Sequence, residues 1–175
     1  MNEARDGGDV ILESLPPHRC EKNAIDVFET LVPDGGEVAG AGLCGRIKNA
    51  HALVFARDGS DVIGVGALKK PVATYRDGVF RKAGLAGSGA LYEREVGWLF
   101  VIAPRRGEGL GRLLTKACVD ATSKRSVYAT SSAKNTRMHG LLEETGFCRA
   151  GQPYPSDQDD DTLVLFVRPQ TDLGK

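Results

Sequence analysis

Pro104-Arg105-Arg106-Gly107-Glu108-Gly109-Leu110-Gly111 joins the run Leu91 to Ile102 to the clearest helical pattern in the chain. The run predicts a long strand, closed by Pro104 and Gly107. From Gly109 to Thr122, Leu110, Leu113, Leu114, Ala117 and Ala121 fall on one stripe, with Arg112, Lys116, Asp120 and Lys124 opposite, which predicts an amphipathic helix. A helix start leaves amide N–H groups unpaired, and its aligned peptide dipoles favour negative charge. Glycines let a bulky anion approach the backbone, and Arg106 adds a fixed positive charge. The turn can therefore seat a phosphate or pyrophosphate. By itself it also reads as a tight connection that holds nothing. The third glycine of the dinucleotide fingerprint and the Gly-Lys-Ser/Thr of the P-loop are both missing.

Outward from this turn, the pattern organises the chain as one domain over residues 9–168, with a flexible tail at 1–8 and another at 169–175. Val10–Leu12 predicts a short strand. Ala24, Ile25, Phe28, Leu31 and Val32 recur at helical spacing until Pro33-Asp34-Gly35-Gly36. A short helix is expected over Ala41–Asn49. Ala52–Ala56 and Val62–Leu68 read as strands joined by the hairpin turn Asp58-Gly59-Ser60-Asp61. Lys69 to Gly89 reads as a partly helical insertion ending in a flexible Gly/Ala/Ser loop. Val127–Thr130 is a strand. Ser132 can cap a helix with Met138, Leu141 and Leu142 facing inward, which stops at Gly146. Phe147–Ala150 and Thr162–Val167 are the last strands, flanking the acidic loop Ser156–Asp161. The order is an α/β mixture with an antiparallel first half.

Composition narrows the function. The 175 residues are 41% hydrophobic and 26% charged with no net charge, values of a globular protein without an overall basic field for nucleic acid or anionic lipid. Cys20, Cys44, Cys118 and Cys148 lie far apart, and no histidine stands at ligand spacing from them. They read as buried or half-buried thiols in a reducing compartment, with no metal site. The polar N-terminus lacks a signal pattern and no apolar run could span a bilayer, so the expectation is a cytoplasmic protein without a membrane partner.

Two motifs together carry a family resemblance. Arg106-x-x-Gly109-x-Gly111 resembles the R/Q-x-x-G-x-G/A signature of the GNAT superfamily of N-acetyltransferases. Asn135-x-x-Met138-x-x-Leu141-Leu142-Glu143-x-x-Gly146-Phe147 resembles that family's second motif. The resemblance covers residues 91–148 and implies a central mixed, mostly antiparallel sheet splayed at its fourth strand, with helices on both faces. It implies acetyl-CoA as co-substrate and no metal. The amides of Arg106, Gly107, Glu108, Gly109, Leu110 and Gly111 would hold the pyrophosphate. Leu99, Phe100 and Val101 would flank the pantetheine arm at a bulge, and Asn135 would touch the coenzyme.

The chemistry implied is acetyl transfer to a primary amine by direct attack in a ternary complex. Glu93 and Glu95 share a strand face by alternation. Glu95 stands where the resemblance places a base, with Glu93 assisting, and the pair also reads as solvated residues bound to basic neighbours. The Val101 N–H would stabilise the oxyanion. The family's usual proton donor to the thiolate is a tyrosine where this chain has Leu142, so Tyr154, Tyr128, Ser131 or water would substitute, and a thiolate can also leave without an acid. The same leucine leaves open a degenerate acyl-CoA-binding or interaction module. The acceptor is a small-molecule or protein amine. An RNA-linked amine is the other reading, drawn from Lys69, Lys70, Arg76, Arg81 and Lys82 with Tyr75 and Phe80 between them, a stretch that also reads as a solvated helix face. The acidic loop suggests a cationic acceptor instead. The protein would act as a monomer or homodimer.

Overall fold

Seven strands, β1 (Ile11–Leu15), β2 (Ala52–Asp58), β3 (Asp61–Lys69), β4 (Arg94–Val101), β5 (Val127–Ser132), β6 (Cys148–Pro155) and β7 (Thr162–Arg168), are joined by five helices, α1 (Lys22–Asp34), α2 (Leu43–Lys48), α3 (Ala73–Lys82), α4 (Leu110–Asp120) and α5 (Thr136–Glu144). They belong to a computed structural model that describes residues 9–34 and 42–170. The expected tail at 1–8 and residues 171–175 of the second tail lie outside the described residues, as do Gly35 and Gly36. The strands form one sheet in the order β1-β2-β3-β4-β5-β7-β6, antiparallel throughout except for the parallel pair β4–β5.

Alternation along the strands builds a core on each face of the sheet. Leu53 and Phe55 of β2 point to α1 and α2, where they meet Phe28, Val32 and Ile47. Val54 and Ala56 point the other way, to Leu110, Leu114 and Cys118 of α4 and Leu142 of α5. Further along the first face, Val79 and Phe80 of α3 pack on Tyr128, Tyr154 and Leu165. Fully buried side chains such as Phe28, Phe55 and Leu114 each contribute about 1.5–3 kcal/mol. Helices on both faces of a mixed, mostly antiparallel sheet are the architecture expected from the sequence.

Several local expectations change. The strand expected from Leu91 starts only at Arg94, because Gly89–Leu91 forms a 3-10 turn. Glu93 therefore precedes the strand, and alternation no longer places it beside Glu95. The piece after α3 is packed rather than loose: Ala83 and Gly89 are buried, and Tyr92 stacks on Phe80 at 5.3 Å. Ser132 ends β5, and the cap of α5 is Asn135, whose Oδ1 accepts the Met138 N–H at 3.1 Å. On α4 the buried stripe turns toward Cys118 and Val119, leaving Leu113 42% exposed. Of the cysteines, Cys44 and Cys148 are exposed rather than half-buried.

Two irregularities open the sheet. On β4, Trp98 and Leu99 together face Gly66 of β3, because the register passes from Ala67↔Gly97 to Val65↔Phe100. Trp98 takes a positive φ of 52° at this bulge. On its other side β4 pairs with β5 only at Arg94↔Val127 and Glu95↔Tyr128, after which the strands separate. The splay expected at the fourth strand is therefore present, with the bulge at its opening.

A second bulge, between Ala150 and Tyr154 of β6, sets where Tyr154 stands. The Gln152 N–H donates to the Ala83 carbonyl at 2.9 Å. Gly151 has a φ of +64°, and a Cβ there would lie 2.0 Å from the same oxygen. Gly151→Ala combines left-handed strain with overpacking and should cost roughly 2–4 kcal/mol. Urea unfolding measures it, and an unchanged midpoint would mean that the bulge is not clasped to Ala83.

Candidate active site

The start of α4 presents unpaired backbone amides to an open trough. Gly109 precedes the helix with a φ of +81°, a conformation that costs glycine little. Among the described residues, none of the amides from Gly107 to Gly111 donates to a protein acceptor. They border an open trough of about 370 Å³ lined by Leu99, Phe100, Val101, Arg106, Gly107, Leu110, Gly111 and Asn135. Glu108 and Gly109 stand in the same turn without lining it. The structure thus brings together most of the residues expected to hold a coenzyme.

The cations differ from expectation. Arg106 is exposed, donates its Nε–H to the Val101 carbonyl at 3.0 Å, and lies 5.4 Å from the Phe100 ring centroid. Arg105 also lines the trough, but Glu108 and Asp58 hold it, at 2.9 and 2.6 Å. Arg137, in the first turn of α5, faces the same trough and has no ion-pair partner among the described residues. The sequence signal for Arg137 was its place two residues after Asn135. Asn135 keeps its amide N–H₂ for a ligand, since its cap uses only the oxygen.

The open edge of β4 supplies backbone groups. The Ile102 N–H donates to the Ile63 carbonyl at 3.1 Å across the β3 edge. Alternation then turns the Val101 N–H to the opposite edge, toward the splay. The Leu99 side chain packs with the α4 core and its backbone borders the trough.

Glu95 is 2% exposed. Its register partner on β3 is Lys69, whose Nζ lies 2.8 Å from Glu95 Oε1 and 5.2 Å from the Trp98 ring centroid. Tyr128 donates its O–H to Glu95 Oε2 at a long 3.4 Å. Gly97 lets the lysine stem lie across the strand, since a Cβ there would meet Lys69 Cε at 3.0 Å. Glu95 is thus paired with a lysine, as the alternative sequence reading expected, but it is buried rather than solvated. Glu93 is exposed and lines none of the hollows described here. Glu95 borders a separate hollow of about 520 Å³ with Trp98, Tyr75, Arg46 and Lys70.

Tyr154 is 4% exposed, and its hydroxyl is buried without a hydrogen-bond partner. Burial, and then the charges of Glu95 and Asp157, push its phenol above the ordinary range. It lines a hollow of about 330 Å³ between β4 and β5. That hollow shares Leu99, Asn135 and Met138 with the trough and Tyr75, Trp98 and Gln158 with the hollow beside Glu95. A path therefore runs from the α4 start, through the splay, to Glu95. Ser131 lines the same passage, whereas Tyr128 faces α3. Leu142 is a core residue, 1% exposed. None of the four cysteines lines the path, and burial raises the Cys118 thiol far above its usual range.

The sequence profile of the acetyltransferase (GNAT) family matches residues 18–147. No match was found among curated protein sequences. Among solved structures, Escherichia coli ElaA is 12% identical with a TM-score of 0.66, covering 91% of this chain and 99% of its own. Salmonella typhimurium yncA, a putative acetyltransferase solved with its cofactor acetyl-CoA, is 13% identical with a TM-score of 0.62, covering 96% and 98%. Arabidopsis thaliana NAA60, solved with a bisubstrate analogue, is 17% identical with a TM-score of 0.64, covering 90% and 97%. At these identities the likeness is one of fold.

The buried Lys69–Glu95 pair gives a prediction independent of any ligand. Lys69→Met leaves a carboxylate buried without its cation and should cost about 3–5 kcal/mol. Adding Glu95→Gln removes the stranded charge and should recover most of that loss. A double-mutant cycle by urea unfolding measures both, and additive losses would show that the two side chains are not coupled.

Proposed function

This chain belongs to the acetyltransferase (GNAT) family, and from that membership we propose that it transfers an acetyl group from acetyl-CoA to a primary amine by direct attack in a ternary complex. One observation carries the reading: a single path joins the unpaired amides of Gly107–Gly111, the open edge of β4, the orphaned Tyr154 hydroxyl and buried Glu95. The unpaired amides, Arg106 and Arg137 fit a pyrophosphate, and the β4 edge fits an extended amide-bearing arm. Leu99, Phe100 and Asn135 complete this side of the site.

Each catalytic group answers one need of the reaction. The attacking amine must lose a proton, and Glu95 takes it, directly or through water. Lys69 offsets the carboxylate charge in this dry setting and holds its orientation. Glu93, exposed and off the strand, is left out of that role. As the new N–C bond forms, the Val101 N–H donates to the oxygen that gains charge. As the C–S bond breaks, Tyr154 donates its proton to sulfur and regains one from solvent. Its position replaces the tyrosine that Leu142 does not supply. No cysteine stands on the path to form an acetyl-enzyme.

The test is thiol release from acetyl-CoA with a panel of amines, beside calorimetric binding of acetyl-CoA. Arg106→Glu should weaken that binding about tenfold or more. Glu95→Gln and Tyr154→Phe should each lower kcat about 10²-fold while acetyl-CoA still binds. An acid must be protonated to act, and a raised phenol stays protonated to higher pH. The alkaline fall in kcat assigned to Tyr154 should therefore lie above the ordinary tyrosine range, about pH 10. Unchanged turnover in Tyr154→Phe would remove Tyr154 from the acid role.

A further inference from the structure

We infer that the acceptor is an anionic amine, a small molecule with a primary amine at one end and a carboxylate or phosphate at the other. The inference rests on the acyl-transfer reading above and deepens it. Its ground is a separation of charge along the path. Among the described residues, the hollow beside Glu95 is lined by the cations Arg46, Lys69 and Lys70 against one carboxylate, Glu95. Among the same residues, the passage at the splay is lined by Asp157, Asp159 and Asp161 against one cation, Lys82. The two meet at Trp98, Tyr75 and Gln158. An amine drawn to the mouth of the acidic passage, where it meets the hollow that Glu95 borders, would leave the rest of its molecule among the cations.

The two sets of charges are not equally available. Asp157 is bridged by Lys82, and Asp161 accepts the Thr162 N–H at 2.9 Å and faces Lys134 at 3.8 Å. Lys69 is committed to Glu95 at 2.8 Å. Arg46 and Lys70 are exposed and have no ion-pair partner among the described residues. They leave an excess of positive charge on the wall of a hollow of about 520 Å³, a size for a small ligand. A polyamine would have to lie against those cations, a like-charge contact that disfavours it. In the stretch that suggested RNA, Phe80 is fully buried and Lys69, Arg76 and Lys82 are paired with Glu95, Asp77 and Asp157, which leaves Lys70 and Arg81 without an ion-pair partner among the described residues.

The test compares matched amines in the thiol-release assay with wild-type protein and an Arg46→Glu/Lys70→Glu double variant. The pairs are aminopentanoate against pentylamine and aminobutyl phosphate against butylamine, and they separate carboxylate from phosphate as the anion. The wild type should prefer one anion-bearing member over its partner without the anion about tenfold or more in kcat/KM, and the double variant should abolish that preference. Equal turnover of the members with and without the anion, or a preference that survives the charge reversal, overturns the inference. Binding of the same compounds to the CoA-loaded protein is measured in parallel by calorimetry. Charge-dependent binding of an anionic amine without any turnover would uphold this site while overturning the acyl-transfer reading. Absence of both binding and turnover for the anionic members overturns the inference, whatever other amines do.

Discussion

β4 and β5 run parallel for two residue pairs and then part, and everything at the candidate site depends on that separation. A strand that loses its neighbour leaves N–H and C=O groups that must find other partners. Here the Val101 carbonyl takes the Arg106 guanidinium, while the Val101 N–H faces the gap. The bulge at Trp98 and Leu99 sends Trp98 to the α1 side and Leu99 to the α4 side. One irregular residue pair thus gives the α1 side of the splay an aromatic wall and the α4 side an aliphatic one.

The Lys69–Glu95 pair sits at the point of divergence and ties its two sides together. It joins β3 to β4 by a cross-strand contact and meets Tyr128 of β5. A buried ion pair is weak as a source of stability, because desolvation offsets most of its attraction. Its worth lies in geometry: breaking one partner strands the other, so both are held. That constraint fixes a carboxylate on the wall of the hollow proposed for the acceptor.

What the sequence made legible was local. The Arg106–Gly111 turn and the Asn135–Phe147 motif are contiguous, so residue spacing alone placed them on helix starts. Glu95 was found as a carboxylate on a strand, but its partner lies on β3 twenty-six positions earlier by number, and register is not written in either strand by itself. Glu93 was misplaced because a 3-10 turn at Gly89–Leu91 shortened the run. Ser132 and Asn135 are both good caps, and the choice between them was made by β5 continuing to Ser132. Arg137 and the isolation of Tyr154 needed the assembled splay to be seen.

Tyr154 shows how the missing tyrosine of the second motif need not mean a missing function. Leu142 fills the core where an inward-facing hydroxyl on α5 would have approached the path. The phenol comes instead from β6, aimed by a bulge that is itself clasped to the end of α3 through Gln152 and Ala83. A buried hydroxyl without a partner is costly, so the fold does not gain by leaving one there. The cost is offset if a ligand atom completes the bond, and the only hollow lined by Tyr154 among those described here is the passage at the splay. The same passage is where the thioester of a coenzyme seated at α4 would end. On the proposed reading, the orphaned hydroxyl and the leucine on α5 are two sides of one substitution, with the acid role taken by a strand residue in place of a helix residue.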